Sequence, residues 1–303
     1  MRFGISPFTL ELMINEVLKE KGLEGLSDFQ FSDVVKGVAK AGFRHCEISL
    51  DVFQIFPIHT IDAEIKKLIE IKEKYDITYS AHFPYSTIEL ASPNKFIREG
   101  SVKSIVDAYN SFIELEDDIE VFVLHPTGEF IADAMDFMMD PEIFPLATSL
   151  FIDFSIQSIK EIIKKTGIDR NKIAIENLEF PFEATLKIVK ELKTKLCIDT
   201  AHILAGFSGE CDLMEITKSY LNITSEIHLQ DHDENNKFSD HSALGTGKNF
   251  PPEFLELIRL KNFKGPIVFE LPKADILLSL EYIRKNAPQI KITDIKDKLL
   301  SLP

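Results

Sequence analysis

The chain has 303 residues, 45% of them hydrophobic, and its 49 acidic and 34 basic side chains give a formal net charge of -15. That apolar content supports one large core, and α/β barrels reach this length as one unit, so residues 1–303 are expected to form a single domain. The acidity, with only six arginines, works against gripping a nucleic-acid backbone; no stretch is long enough to span a bilayer, and Cys46, Cys197 and Cys211 are too dispersed for a disulfide framework or a cysteine zinc site, so a cytoplasmic protein with no membrane partner is expected.

Along the chain, short runs rich in Val, Ile and Phe alternate with stretches of helical period, the pattern of βαβ units around a parallel sheet. Strands are predicted at Arg2–Ile5, Arg44–Leu50, Ile77–His82, Val121–His125, Lys172–Asn177, Leu196–Asp199, Glu226–Leu229 and Ile267–Leu271. Between them, Ile61–Tyr75 places Ile61, Ile65, Leu68 and Ile69 on one helical face, and Ser101–Leu115, Phe154–Lys164, Phe182–Leu192, Leu213–Leu221, Glu253–Leu260 and Ala274–Ile283 read as further helices. Eight strands in about 300 residues predict a closed (β/α)8 TIM barrel rather than an open doubly wound sheet, which usually carries five or six.

Ionisable residues stand at the ends of otherwise apolar strands. The third predicted strand ends in Ser80-Ala81-His82, the fourth in Leu124-His125, the fifth in Ile175-Glu176-Asn177 and the sixth in Asp199-Thr200-Ala201-His202, while the seventh gives Ile227-His228-Leu229 and the eighth Phe269-Glu270. Each taken singly has a plain structural reading: Asp199 suits a helix N-cap, His202 a solvent-facing position, and a lone histidine a hydrogen-bonded core site. Six in register at the barrel face where such folds keep their active sites are most simply satisfied together by divalent metal ions. His45, at the start of strand two, and His59 and His232, read as surface residues, stand outside this pattern.

The ordered set His82, His125, Glu176, Asp199-x-x-His202, His228, His241 and Glu270 resembles that of the family grouping endonuclease IV with the xylose isomerase-like barrels (AP endonuclease family 2). The stretch His82-Phe83-Pro84-Tyr85 followed by Leu90-Ala91-Ser92, and the turn His241-Ser242-Ala243-Leu244-Gly245-Thr246-Gly247, carry the likeness further. In endonuclease IV such residues hold three zinc ions. The resemblance implies a first ion on His82, His125 and Glu176, with Glu176 bridging to a second on Asp199, His228 and Glu270, and a third on His202 and His241. Zinc suits the imidazole and carboxylate donors best, with manganese and iron as alternatives.

The chain departs from that pattern in four places. Ser239, with Asp240 beside it, stands where the third ion takes an aspartate; the loop after strand two has no Lys or Arg from Asp51 to Asp62, and the chain has no Trp; Leu178-Glu179-Phe180-Pro181-Phe182 replaces a Gly-rich stretch; and the net charge is negative. The leading expectation is therefore a metal-dependent hydrolase of a small-molecule or nucleotide phosphoester. The alternatives are a sugar isomerase or epimerase, with Glu176 and Glu270 exchanging the proton beside a carbonyl, and an endonuclease acting on abasic DNA. Phe53, Ile55 and Phe56 are the side chains that loop offers as wedges.

Overall fold

The computed structural model describes residues 1–7, 30–55, 61–137, 142–235 and 241–292. Eight strands close into a parallel barrel in chain order: β1 (Arg2–Ile5), β2 (His45–Ser49), β3 (Thr78–His82), β4 (Ile119–Leu124), β5 (Ile173–Glu176), β6 (Lys195–Asp199), β7 (Thr224–His228) and β8 (Pro266–Phe269). Closure is made by β1 pairing with β8, Arg2 through Ile5 standing opposite Pro266 through Phe269. The chain therefore has the expected barrel fold, and the strand bounds differ from the sequence reading mainly at their ends. His125 and Glu270 each fall one residue beyond their strand.

Helices clad the barrel because their apolar stripes match its outer face. In the helix α1 (Phe31–Ala41), Phe31, Val35, Val38 and Ala39 are buried at the spacing of one helical face, and the chain leaves through Gly42 at φ 104°. The helices Phe182–Leu192 and Glu253–Leu260 have the predicted bounds. Two others begin earlier than the pattern indicates. The helix Lys95–Ser111 starts with its side-chain cap at Asn94, and the helix Ile143–Thr166 runs 24 residues. Their first turns expose Phe96, Ile97, Ile143, Leu146 and Leu150, so no buried stripe marks them in the sequence.

The main hydrophobic core lies between strands and helices, with Phe31, Phe43, Phe83, Phe122, Phe180, Phe254 and Phe269 among its largest fully buried side chains. Inside the barrel a small separate apolar cluster, Val121, Val123, Ala174 and Cys197, fills only part of the space. Residues pointing inward on β2, β3 and β7 are polar: His45, Glu47 and Ser49; Ser80 and His82; Glu226 and His228. Gly4 on β1 makes room for this arrangement, since a Cβ there would come within 2.8 Å of the His45 side chain.

Loops at the C-terminal mouth are tied down by buried carboxylates. Glu89 accepts backbone N–H groups of Gly128 (3.0 Å), Ile131 (3.1 Å) and Ala91 (3.3 Å), joining the loop after β3 to the loop after β4. Asp51 accepts from Tyr85 and Ser86, and Asp231 from His232, Gly245 and Gly247. These contacts hold the segments that follow His82, His125 and His228. Glu89→Ala should leave the amides of Gly128 and Ala91 without their acceptor, Ile131 N–H keeping the Gly128 carbonyl at 3.1 Å, and destabilise the fold by about 2 kcal/mol or more, at about 1–3 kcal/mol for each stranded donor. Thermal denaturation checks this, and an unchanged midpoint would show that those amides find other partners.

Candidate metal centre

Glu176, the last residue of β5, is buried to 1% exposure and organises the mouth of the barrel. Its Oε2 lies 3.2 Å from His82 Nε2 and 3.1 Å from His125 Nε2, while its Oε1 lies 3.1 Å from His228 Nδ1. His228 Nδ1 is also 3.1 Å from Glu270 Oε2 and 3.9 Å from Asp199 Oδ2. Two sets of donor atoms thus meet at one carboxylate: His82, His125 and Glu176 on one side, and Glu176, Asp199, His228 and Glu270 on the other, the atoms of each set lying within 4.8 Å of one another.

The strands explain this convergence. Ser49 is in register with His82 and Asp199 with His228, while Glu176 stands opposite Cys197, one inward position before Asp199, and meets the neighbouring strand ends through the reach of its side chain. The rings are held from behind. His82 Nδ1 is 2.8 Å from the Phe83 carbonyl, and His202 Nδ1 is 2.8 Å from the Asn177 carbonyl. Asp199 also fulfils its plainer reading as the N-cap of the short helix Thr200–Leu204, accepting from His202 N at 2.9 Å through Oδ1. Its Oδ2 accepts from Gln230 Nε2 at 2.6 Å, and the same amide is 3.5 Å from Glu270 Oε2.

His202 and His241 stand at the rim. Their rings are 6.4 Å apart, His202 Nδ1 lies 3.8 Å from Asp199 Oδ1, and His241 Nε2 lies 3.9 Å from Glu270 Oε2. Among the described residues they do not form a third compact donor set. Ser239 and Asp240, the residues in question for a third ion, lie outside the described residues, as does His59. His232 is half-buried, with its ring 6.3 Å from Phe207, rather than a plain surface residue. Phe53 is not positioned as a wedge: its ring packs between Phe31 (4.8 Å) and Phe112 (4.4 Å) as part of the core. The Ile55 side chain and Phe56 lie outside the described residues.

Beneath the strand ends lies a polar layer that reading the ends alone leaves out. Glu47 Oε2 is 3.4 Å from His228 Nε2, and Glu226 Oε1 accepts from Ser80 Oγ at 2.8 Å. Ser80 Oγ is 2.9 Å from His45 Nε2, whose Nδ1 is 2.8 Å from Thr78 Oγ1. The signal for it is period-two polarity, in His45-x-Glu47-x-Ser49, Ser80-x-His82 and Glu226-x-His228-x-Gln230, which places all these side chains on one strand face.

Electrostatics favours a cation here. Every ion pair that Glu176, Asp199 and Glu270 make among the described residues is with a histidine. Burial alone would raise the Glu176 carboxyl, yet the imidazoles of His228 and His125 hold it well below the usual carboxylate range. Against the same burial penalty, His228 carries Glu270 down to about 2. His82 moves the other way: burial opposes its charge, but the Glu176 hydrogen bond and the charges of Glu47, Glu176 and Glu270 lift it to about 9. Asp199 is raised by burial, which outweighs the pull of His202. Burial holds His125 below its ordinary value and so keeps it free of a proton, while His82 and His228 are drawn towards protonation beside Glu176 and Glu270; this mixture fits a divalent ion, which would take the place of the protons on His82 and His228.

Comparison with known proteins places this geometry among relatives. Residues 35–291 match the family described as xylose isomerase-like TIM barrel. An uncharacterised protein of Methanocaldococcus jannaschii is 29% identical over 217 residues, 68% of each chain. Among solved structures, a D-tagatose 3-epimerase-like protein superposes with a TM-score of 0.64 at 24% identity, covering 95% of this chain and 98% of the other. Endonuclease IV from Thermus thermophilus superposes with a TM-score of 0.62 at 16% identity, covering 96% and 100%. At these identities the two structures share the fold with this chain.

Metal affinity should depend on pH through His82. The ring ligates only when its proton has left, so affinity should climb as pH rises from 6 through about 9; His228, also raised above its ordinary value, adds to the climb in the same direction, while Glu270, ionised above about 2, adds no slope in this range. Chelator competition at pH 6, 7.5 and 9 measures this. Affinity that stays flat across the three would remove His82 from the ligand set.

Proposed function

Since the chain belongs to the xylose isomerase-like TIM barrel family, we propose that it is a divalent-metal-dependent hydrolase acting on a phosphoester in a small-molecule or nucleotide substrate. The observation that carries this reading is the division of Glu176, with one oxygen among His82 and His125 and the other beside His228. A carboxylate used from both sides suits a bridge between two ions, and chemistry at a single ion needs only the set Glu176, Asp199, His228 and Glu270. Two ions held by these residues would neutralise charge on a phosphoryl group and acidify a water for in-line attack, zinc matching the donors best and manganese or iron following.

The chain's own side chains divide the remaining work. Glu176 keeps the two donor sets in fixed relation, and Glu270, 13% exposed at its side chain, is placed to accept a proton at the open edge. Gln230 orients Asp199 and Glu270 together. The Tyr85 ring stands 5.2 Å from His82 and 5.3 Å from His125, forming a wall beside the first donor set where part of a substrate would lie. His202 and His241 border the site at the rim, in reach of a third ion or of a substrate oxygen.

A second reading is sugar epimerisation or isomerisation, with Glu176 and Glu270 exchanging the proton next to a carbonyl. It is favoured by the structural likeness to the D-tagatose 3-epimerase-like protein. Metal analysis of the purified protein separates the two. The hydrolase reading expects two ions per chain, turnover of bis(p-nitrophenyl) phosphate, and loss of both turnover and metal content in Glu176→Gln, because an amide cannot neutralise two cations. One ion per chain together with C3 exchange of a ketose would replace it with the epimerase reading.

Abasic duplex DNA is expected to be a poor substrate. Affinity for duplex DNA comes largely from Lys and Arg neutralising phosphates, whereas this chain has a net charge of -15 and no Lys or Arg from Asp51 to Asp62. Incision assays at physiological salt should show cleavage far slower than turnover of the small phosphoester. Efficient incision that disappears in Glu176→Gln would make DNA the substrate.

A further inference from the structure

The metal set accounts for only one nitrogen of His228. Its Nδ1 faces Glu176 and Glu270, each at 3.1 Å, while its Nε2 points down the barrel axis to Glu47 Oε2 at 3.4 Å. Both Glu47 and His228 are fully buried. We propose that Glu47, on β2, is a positioning residue: it accepts the Nε2–H of His228, fixes the imidazole in that tautomer, and so presents the Nδ1 lone pair to the ion shared with Asp199 and Glu270. The inference rests on the metal-centre reading above and adds to it a carboxylate that makes no contact with the ion.

The chemistry leaves little choice for the ring. A neutral imidazole has one donor and one acceptor nitrogen. With Nδ1 given to a cation, Nε2 carries the hydrogen and needs an acceptor, and Glu47 is the carboxylate that faces it, the Cys197 thiol that also touches the ring being only a weak acceptor. A carboxylate behind a ligating histidine makes the ring more basic and sets its plane. The surroundings leave Glu47 little freedom. It sits in the middle of a strand on which His45 and Ser49 also point inward, and Glu226, reaching across the barrel interior from β7 and bonded to Ser80, fills the space beside it.

Glu47, Glu226 and His228 also bring donor atoms within 4.8 Å of one another, and Glu47 Oε1 and Glu226 Oε2 have no hydrogen-bond partner. An ion bound between them would have to take Nε2 as its ligand, which either leaves the proton on Nδ1, facing Glu176 and Glu270, or, with Nδ1 also on an ion, needs an imidazole stripped of both protons. That arrangement opposes the proposal and can be told apart from it.

The test uses the full-length protein with cobalt(II) or zinc as the probe. Glu47→Leu should weaken binding of the ion at Asp199, His228 and Glu270 by about 10–100-fold, the usual consequence of losing a partner behind a ligating histidine, and leave binding at His82 and His125 much less affected. Glu47→Gln, which keeps an acceptor oxygen without the charge, should fall between Glu47→Leu and wild type. It also serves if Glu47→Leu fails to fold. In zinc-loaded protein with 15N-labelled histidine, the His228 ring should carry its proton on Nε2, with that N–H signal shifted by a carboxylate acceptor in wild type and the shift lost in Glu47→Leu. A proton on Nδ1, unchanged cobalt affinity and spectrum in Glu47→Gln and Glu47→Leu, or anomalous scattering from an ion between Glu47 and Glu226 would each overturn the proposal. Wild-type protein that binds no metal would refute the hydrolase reading instead, and the tautomer of His228 would still decide the role of Glu47.

Discussion

The constraint on which the rest of this molecule depends is the cost of holding carboxylates inside a barrel. Glu47, Glu176, Asp199 and Glu226 are buried to 1% exposure or less, and Glu270 borders them. An ionised carboxylate removed from water without a partner costs several kcal/mol even after relaxation, and the partners available here are imidazoles. Histidine neutralises such a group only by keeping a proton, so the cluster is balanced either by imidazolium ions or by metal ions that displace those protons. A barrel filled with Val, Ile and Leu avoids this conflict. Here the interior apolar cluster is reduced to Val121, Val123, Ala174 and Cys197, and the space it yields goes to the polar layers on β2, β3 and β7.

The scaffold carries that charge by fixing the backbone around it. Asp51, Glu89 and Asp231 each accept two or more backbone N–H groups from the segments after β3, β4 and β7, so the chain beyond those strand ends is held by hydrogen bonds to buried carboxyl groups rather than by packing alone. The close approach is strict at Gly128, where a Cβ would meet the Ile88 carbonyl oxygen at 2.1 Å. That contact brings the segment after His125 against the segment after His82, and the two rings stand with centroids 4.7 Å apart. Placement of the first donor set is thus a consequence of loop anchoring as much as of strand register.

The parts legible in the sequence are those where one pattern has one physical cause. Strands ending in His82, Glu176, Asp199 and His228 can be recognised because an apolar run broken by an ionisable residue has few structural explanations. The helices Phe182–Leu192 and Glu253–Leu260 can be bounded because one face of each is buried throughout. The helix Ile143–Thr166 cannot, since its first turns present Ile143, Leu146 and Leu150 outward and their hydrophobicity carries no inward period. Glu47 and Glu226 escape a sequence reading for a different reason. A glutamate in mid-strand reads as a solvent-facing residue unless its strand is known to line a closed barrel and the residues two positions away are seen to be polar as well. Phe53 misleads because an aromatic side chain in a loop near a site fits a substrate contact and a core anchor equally well, and only the neighbouring rings, Phe31 and Phe112, distinguish them.

The family fold does not itself select a reaction, since an epimerase-like protein and an endonuclease share it with this chain at similar TM-scores. Selection has to come from the donor atoms. The set Glu176, Asp199, His228 and Glu270 is compatible with either chemistry, because one ion can polarise a sugar carbonyl or a phosphoryl oxygen. His82 and His125 tilt the balance. Both turn Nε2 to the same oxygen of Glu176, with the Tyr85 ring packed against them, and they stand at 3% exposure and half-buried respectively. A sugar-binding wall would have no need for two imidazoles aimed at a carboxylate already used by His228. Two imidazoles and a shared carboxylate make sense as the remaining half of a pair of ion sites, and this half, set beside the single-ion half, is what supports the proposal of phosphoester hydrolysis over chemistry at one ion.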